Sequence, residues 1–260
     1  MDFSRSGRWH RAFSAALLLS GIAPAWADDL PGFDRPGLGF ATNALSAGQF
    51  AYEQGLPDWS RHRDQGITSD QATYDTLLRF GLGSGLELQL GSSPYNRLRQ
   101  TGDGITQTSH GRGDTILGLK WVPVSSSETW EWGLLGNLEF TDGARDFRSD
   151  RPVYTLGVVV DQKVGALADI SYFAQWQRSG GRDNYVIAPD YNYQLDDQWG
   201  CYLEAALLRD VNHRDGTQTG GGLTWQPRQN LQFDTWFRHR LGGQAAIWEA
   251  GVGVAVFFGR

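Results

Sequence analysis

The chain is almost free of sulfur, with a single cysteine, Cys201, and a single methionine. One thiol excludes an intrachain disulfide and a cysteine-rich metal site. Basic charge is also scarce, and the formal net charge is −6. That balance argues against a nucleic-acid partner, whose phosphates demand a basic surface. Long apolar runs are missing too. Beyond the N-terminal leader no stretch reaches the roughly 20 apolar residues of a membrane-spanning helix, and the mean hydropathy is −0.42. Glycine and aromatic residues, by contrast, are abundant: 34 Gly, 11 Trp, 9 Tyr and 13 Phe. Moderate hydropathy with many rings and glycines suits strands that are apolar on one side, as in a membrane barrel.

The leader has three parts. Arg5, Arg8 and Arg11 form a positive region, residues 12–22 are small and apolar around Leu17-Leu18-Leu19, and Ala25-Trp26-Ala27 is an A-x-A cleavage site. This is the pattern of a secretory signal peptide, residues 1–27. The competing reading, a membrane helix, fails on length. Cleavage would remove Asp2 and three arginines, taking the net charge two units down, from −6 to −8.

Period-2 alternation dominates the remainder. In the last segment Trp248, Ala250, Val252, Val254, Val256 and Phe258 fall on one face, and Glu249, Gly251, Gly253 and Ala255 on the other. Successive strand side chains point to opposite faces, so a strand separates these sets and a helix would mix them. The same pattern recurs in 115–123, 131–140, 199–207, 74–80 and 86–90. It predicts about 12 strands, an even number as single-chain bacterial barrels require. They run over 48–56, 70–82, 86–97, 113–123, 130–141, 153–164, 168–179, 184–195, 199–210, 217–227, 231–241 and 246–258.

The connections supply a second signal. Gly83-Ser84-Gly85, 124–129, Gly165-Ala166-Leu167, Asp196-Asp197-Gln198 and Arg228-Gln229-Asn230 are short, whereas 57–69, 98–112 and 142–152 are long. Short periplasmic turns alternating with longer outer loops are the mark of an outer-membrane barrel, and they put both chain ends in the periplasm. Aromatics on the apolar face then sort into two belts at the lipid interfaces. Phe80, Trp121, Trp132, Trp199, Trp225 and Phe258 lie near the turns. Tyr74, Phe140, Tyr154, Trp176, Tyr185, Phe237 and Trp248 lie near the loops. The expected fold is therefore all-β: a transmembrane antiparallel up-and-down β-barrel over residues 48–260. A soluble lipocalin-like barrel, the alternative, would bury its apolar face and has no use for belts or for a glutamate in almost every hairpin.

Several stretches then carry a resemblance. They are Asp34-Arg35-Pro36-Gly37, Gly48-Gln49-Phe50-Ala51-Tyr52-Glu53-Gln54-Gly55, Leu78-Arg79-Phe80-Gly81-Leu82 with Leu86-Glu87-Leu88-Gln89-Leu90, and Gly113 through Lys120. In order and spacing these resemble the family of outer-membrane transporters named for the phenol-degradation meta pathway. The resemblance implies a barrel and passage of aromatic or hydrocarbon compounds. One departure is the end of the chain: many such barrels finish on an aromatic residue, whereas Phe258 is followed by Gly259-Arg260.

Charged residues on the minority face define the candidate site. They are Glu53, Asp75, Arg79, Glu87, Asp114, Lys120, Glu131, Glu139, Asp161, Glu204, Asp234, Arg238 and Glu249. On the lipid face an Arg or Lys would cost about 2–4 kcal/mol at the midplane, so the lumen is their place. One reading is a polar, cation-tolerant channel or ligand site. The other is an ion-paired network that fills and stiffens the barrel, preferred for Glu53, Arg79, Glu87, Asp114 and Lys120. Residues 28–47 precede the first strand and either plug the lumen or hang in the periplasm. His62, His110 and His213 fall in expected outer loops and His239 near the outer end of a strand, none beside a nucleophile motif. No enzymatic activity, cofactor or metal is expected.

The sequence thus points to a passive outer-membrane channel for small organic solutes. The alternatives are a non-conducting structural or surface-interaction barrel and, further off, an outer-membrane hydrolase. Its partners would be outer-membrane lipid, the solute and the barrel assembly machinery.

Overall fold

The computed structural model describes residues 32–210 and 215–259; the leader, residues 28–31 and His213 lie outside these. Thirteen strands follow one another: β1 (Phe50–Asp64), β2 (Ile67–Gly83), β3 (Leu86–Gly102), β4 (Ile105–Gly111), β5 (Thr115–Trp121), β6 (Trp130–Glu139), β7 (Val153–Lys163), β8 (Ala168–Ser179), β9 (Arg182–Gln194), β10 (Trp199–Asp210), β11 (Gly216–Arg228), β12 (Leu231–Gly243) and β13 (Trp248–Phe258). β4 pairs with the outer half of β3 and β5 with its inner half. The two are one stave of the wall, interrupted at residues 112–114, so the sheet has twelve staves. Each is antiparallel to its sequence neighbours, and β1 pairs with β13 through Phe50↔Phe258 to Arg61↔Trp248. The sheet therefore closes on itself and leaves no edge.

Burial is inverted relative to a soluble barrel. Leu88, Leu90, Leu117, Leu119, Leu156, Ile187, Leu203, Leu207 and Leu223 are exposed on the outside, while Glu53, Arg79, Glu87 and Lys120 are fully buried within. Apolar-out, polar-in is what a lipid environment selects. At the turn end the rings touch across strands: Phe50 to Phe80 at 5.0 Å, Phe50 to Phe258 at 5.5 Å, Trp121 to Trp132 at 5.5 Å and Trp199 to Trp225 at 5.7 Å between centroids.

Two expected loops are strands instead. Residues 57–69 and 98–112 are hairpin extensions that carry β1–β4 beyond the membrane, and β2 and β3 reach 17 residues each where a tilted crossing needs about 9–11. Pro57, which lacks an N–H, does not end β1. It sits in a bulge where the register shifts between Gly55 and Asp58, the place a sheet tolerates proline. The turns are two-residue: Gln65-Gly66 (φ 47° and 85°) and Asp103-Gly104 (φ 49° and 77°). Positive φ at both positions gives the turn whose twist matches the strands. His62 and His110 accordingly lie in β1 and β4 rather than in loops. The connection 142–152 is irregular, as expected.

Candidate functional site: the filled lumen

The segment preceding β1 enters the barrel, and the buried apolar core lies between this strap and the wall. Phe33 and Leu45 pack with Ala51, Ala255 and Phe257. Phe40 packs with Val159, Phe173, Ala188 and Ala206, meeting Phe173 edge-on at 6.1 Å. The wall makes room by lacking side chains at chosen points. Gly81 donates its N–H to the Gln49 carbonyl at 2.9 Å and accepts from Gly48 N–H at 3.0 Å; a Cβ there would collide with the Ser46 carbonyl.

Polar contacts fix the strap's course. Glu53 on β1 accepts the backbone N–H groups of Asp34 (3.0 Å) and Arg35 (2.8 Å). Glu53 also pairs with Arg79 on β2 at 2.7 Å. Arg79 in turn binds Glu87 on β3 through two bonds of 2.7 and 3.0 Å. The Asp34 carboxylate takes Lys120 Nζ of β5 at 2.8 Å and Gln89 Nε2 at 2.8 Å. Glu87 accepts Leu45 N–H at 3.1 Å, and Thr42 donates its one hydroxyl proton to Asp161 at 2.5 Å, with Glu131 3.3 Å from the same oxygen. Arg35 reaches the other side of the lumen, to Asp58 at 3.1 Å and Asp234 at 3.2 Å. Desolvating such charges is expensive, so the network adds little net stability over an apolar core, but removing one partner is severely destabilising. These contacts tie the strap to β1, β2, β3, β5, β7 and β12.

Nine of the expected lumenal charges fall into three groups. Glu53, Arg79, Glu87 and Lys120 come together through Asp34. Asp114 is not among them; it lies in the break between β4 and β5 and accepts the N–H groups of Gly143 (2.7 Å) and Ser149 (2.6 Å). Glu139 accepts Ser149 Oγ at 2.6 Å, so these two carboxylates hold the 142–152 loop inward. Nearby, Asp142 accepts from Thr115 N (2.8 Å) and Thr115 Oγ1 (2.9 Å) and pairs with Arg112 at 3.1 Å. The Thr115 hydrogen bonds, aided by Arg112, lower its pKa to about 2. In the third group Arg238 lies 2.5 Å from Glu204 and 3.9 Å from Glu249. The strap partners Asp34, Arg35, Phe40 and Thr42 were not foreseen as site residues. Asp34 and Arg35 stood out only as part of a motif, because nothing local marks a carboxylate whose cation is on β5.

Cavities remain on both sides of the strap. One of about 500 Å³ opens at the turn end beside Phe33, Pro36, Asp169 and Tyr202. Another of about 510 Å³ lies on the loop side under Phe147. A third, about 280 Å³, lies mid-lumen between Leu38 and Phe40 of the strap and Leu77, Ile116, Leu135 and Phe173 of the wall.

A family model described as "Putative MetA-pathway of phenol degradation" matches residues 33–258. Among solved structures, an outer membrane channel from Pseudomonas putida F1 is 14% identical, with a TM-score of 0.66, over 86% of this chain and 99% of that one. The KdgM porin is 10% identical, TM-score 0.55, over 81% and 99%. The translocator domain of the autotransporter NalP from Neisseria meningitidis is 12% identical, TM-score 0.55, over 82% and 90%. No curated protein matches in sequence. At these identities the structural likeness shows the fold, a closed barrel of the outer-membrane channel type.

Proposed function

The chain belongs to that phenol-degradation family, and from this premise we propose that it is a passive outer-membrane channel for small organic solutes, single-ring aromatics among them. Its turns and both chain ends face the periplasm. Residues 28–47 act as a plug, and no cofactor or energy coupling is involved.

The observation that carries the reading is the mid-lumen cavity. Six apolar side chains border about 280 Å³, together with the polar side chains of Asp34, Arg35, Gln89, Asn137, Thr155 and Gln175. An apolar cavity of about 150 Å³ holds benzene, so one substituted ring fits. The cavity has strap residues on one side, which ties solute binding to the strap's position. The lumenal charges Glu53, Arg79, Glu87 and Lys120 act here as the strap's anchor, with Asp114 and Glu139 as the loop's.

Planar-bilayer conductance of the refolded protein, with and without residues 28–47, tests this. Conductance that appears or rises on truncation, and that phenol blocks, supports a plugged channel. Silence in both forms, from protein shown to be folded and inserted, would make the chain a structural barrel.

A further inference from the structure

Away from the strap's anchor, carboxylates outnumber cations among the described residues of the lumenal wall. One row of inward-facing residues runs across β6–β10 in ladder register: Glu131 faces Asp161, Asp161 faces Ser171, Ser171 faces Asp190, and Asp190 faces Glu204. Asp169 lies one inward position nearer the turn end of β8. Among the described residues two cations stand against these five carboxylates. Lys163 is 3.8 Å from Glu131 with its side chain 59% exposed, and Arg238 is shared between Glu204 and Glu249.

The hydrogen bonding is also incomplete at one point. Asp161 receives the hydroxyls of Thr42 and Ser171, and Asp169 receives Asn192 Nδ2 at 2.9 Å. Asp190 Oδ1 is buried with no donor, and so is the phenol oxygen of Tyr202, a residue only 6% exposed. Both residues border the turn-end cavity of about 500 Å³. Buried polar atoms in folded proteins are nearly always paired, and leaving one unpaired costs about 1–3 kcal/mol. Two residues that border one cavity thus each carry an unpaired polar atom, and a shift of either side chain toward the cavity would let it meet a partner there. Water would satisfy the hydrogen bonds but not the excess of negative charge. Arg35 and Lys163 border the same cavity, yet the Arg35 donors go to Asp58 and Asp234 and Lys163 Nζ lies against Glu131. Among the described residues no three His, Cys, Asp or Glu side chains are placed to share a metal ion.

We propose that the turn-end cavity binds a primary organic ammonium ion, with Asp190 and Tyr202 accepting its N–H groups. An ammonium offers three donors and one positive charge, which answers both orphaned acceptors and the carboxylate excess together. Asp190 supplies a charge-assisted bond and Tyr202 a neutral one, so Asp190 carries the larger share. The site adds a class of solute to the channel reading, but its occupancy is measurable whether or not the pore conducts.

Isothermal titration of the detergent-solubilised protein with 2-phenylethylammonium, and with 2-phenylethanol as the neutral analogue, tests it. The ammonium should bind at least about tenfold more tightly than the alcohol. D190N should erase that preference and Y202F should weaken ammonium binding several-fold. E128Q, on an exposed turn, should change neither affinity. Heat-modified gel mobility checks that each variant is a folded barrel. Equal binding of the two probes, unchanged affinity in folded D190N, or no ammonium binding by the folded parent protein would overturn the proposal. Ammonium binding in a protein that never conducts would uphold it while sinking the channel.

Discussion

Arg79 grips Glu87 through two parallel bonds of 2.7 and 3.0 Å, with neither side chain reachable by solvent. The planar guanidinium fits a carboxylate two bonds at a time, a match that lysine's single ammonium does not reproduce. The same guanidinium holds Glu53 at 2.7 Å, so one residue fixes the two carboxylates that receive the strap's backbone.

Replacing Arg79 by Met should therefore leave Glu53 and Glu87 buried without their main cation. The expected loss is about 3–5 kcal/mol, read as a large fall in the temperature at which the barrel loses its compact gel mobility. Arg79→Lys should fall between Met and the parent.

Asp34→Asn removes the charge that Lys120 meets at 2.8 Å but leaves the wall intact. The barrel should retain its compact mobility while the strap becomes accessible, so that limited proteolysis cuts between residues 32 and 47 faster than in the parent. An unchanged cleavage rate would mean that Lys120 does not hold the strap.

Gly81→Val places side-chain atoms where the Ser46 carbonyl lies. The strap's end must move, and the bonds between Gly81 and residues 48 and 49 go with it. Amide exchange over 45–49 should quicken markedly, whereas Gly136→Ala, at a position with open space around it, should leave that exchange unaltered.

The Asp142 clasp should depend on acid. Its folded pKa is lowered to about 2 by the Thr115 hydrogen bonds and Arg112, against an ordinary value of 3.8. A depressed carboxylate stabilises the folded loop above the ordinary value and loses that contribution as pH falls through the folded value. Pepsin cleavage within 142–152 should therefore accelerate between about pH 4 and pH 2. Asp142→Asn should be cut quickly throughout that window; a flat profile in the parent would refute the clasp.

Much of the wall was legible because alternation is a local signal. Leu117, Lys120 and Trp121 declare their faces within one strand, and the ring contacts of Phe50 with Phe80 and Phe258 follow from register. The β1–β2 extension is hidden because Pro57 reads as a terminator unless the bulge around it is known, whereas Asp103-Gly104 is a recognised hairpin turn between β3 and β4. The strap's course was not legible. Arg35 and Asp234 stand 199 positions apart, and no periodicity connects them. Asp114 was assigned to the wrong group for the same reason: its partners are backbone amides of a loop, which leave no trace in side-chain pattern.

Arg35 also bears on how the barrel is made. Pairing β1 with β13 joins the first strand to the last, the most sequence-distant step in assembling this sheet, and closing so large a loop carries an entropic cost before any contact rewards it. Arg35 bonds Asp58 on β1 and Asp234 on β12, the strands flanking β13. An arginine supplied from inside therefore staples the seam across its width. The segment that fills the finished barrel is thus also tied to both sides of the seam that closes it.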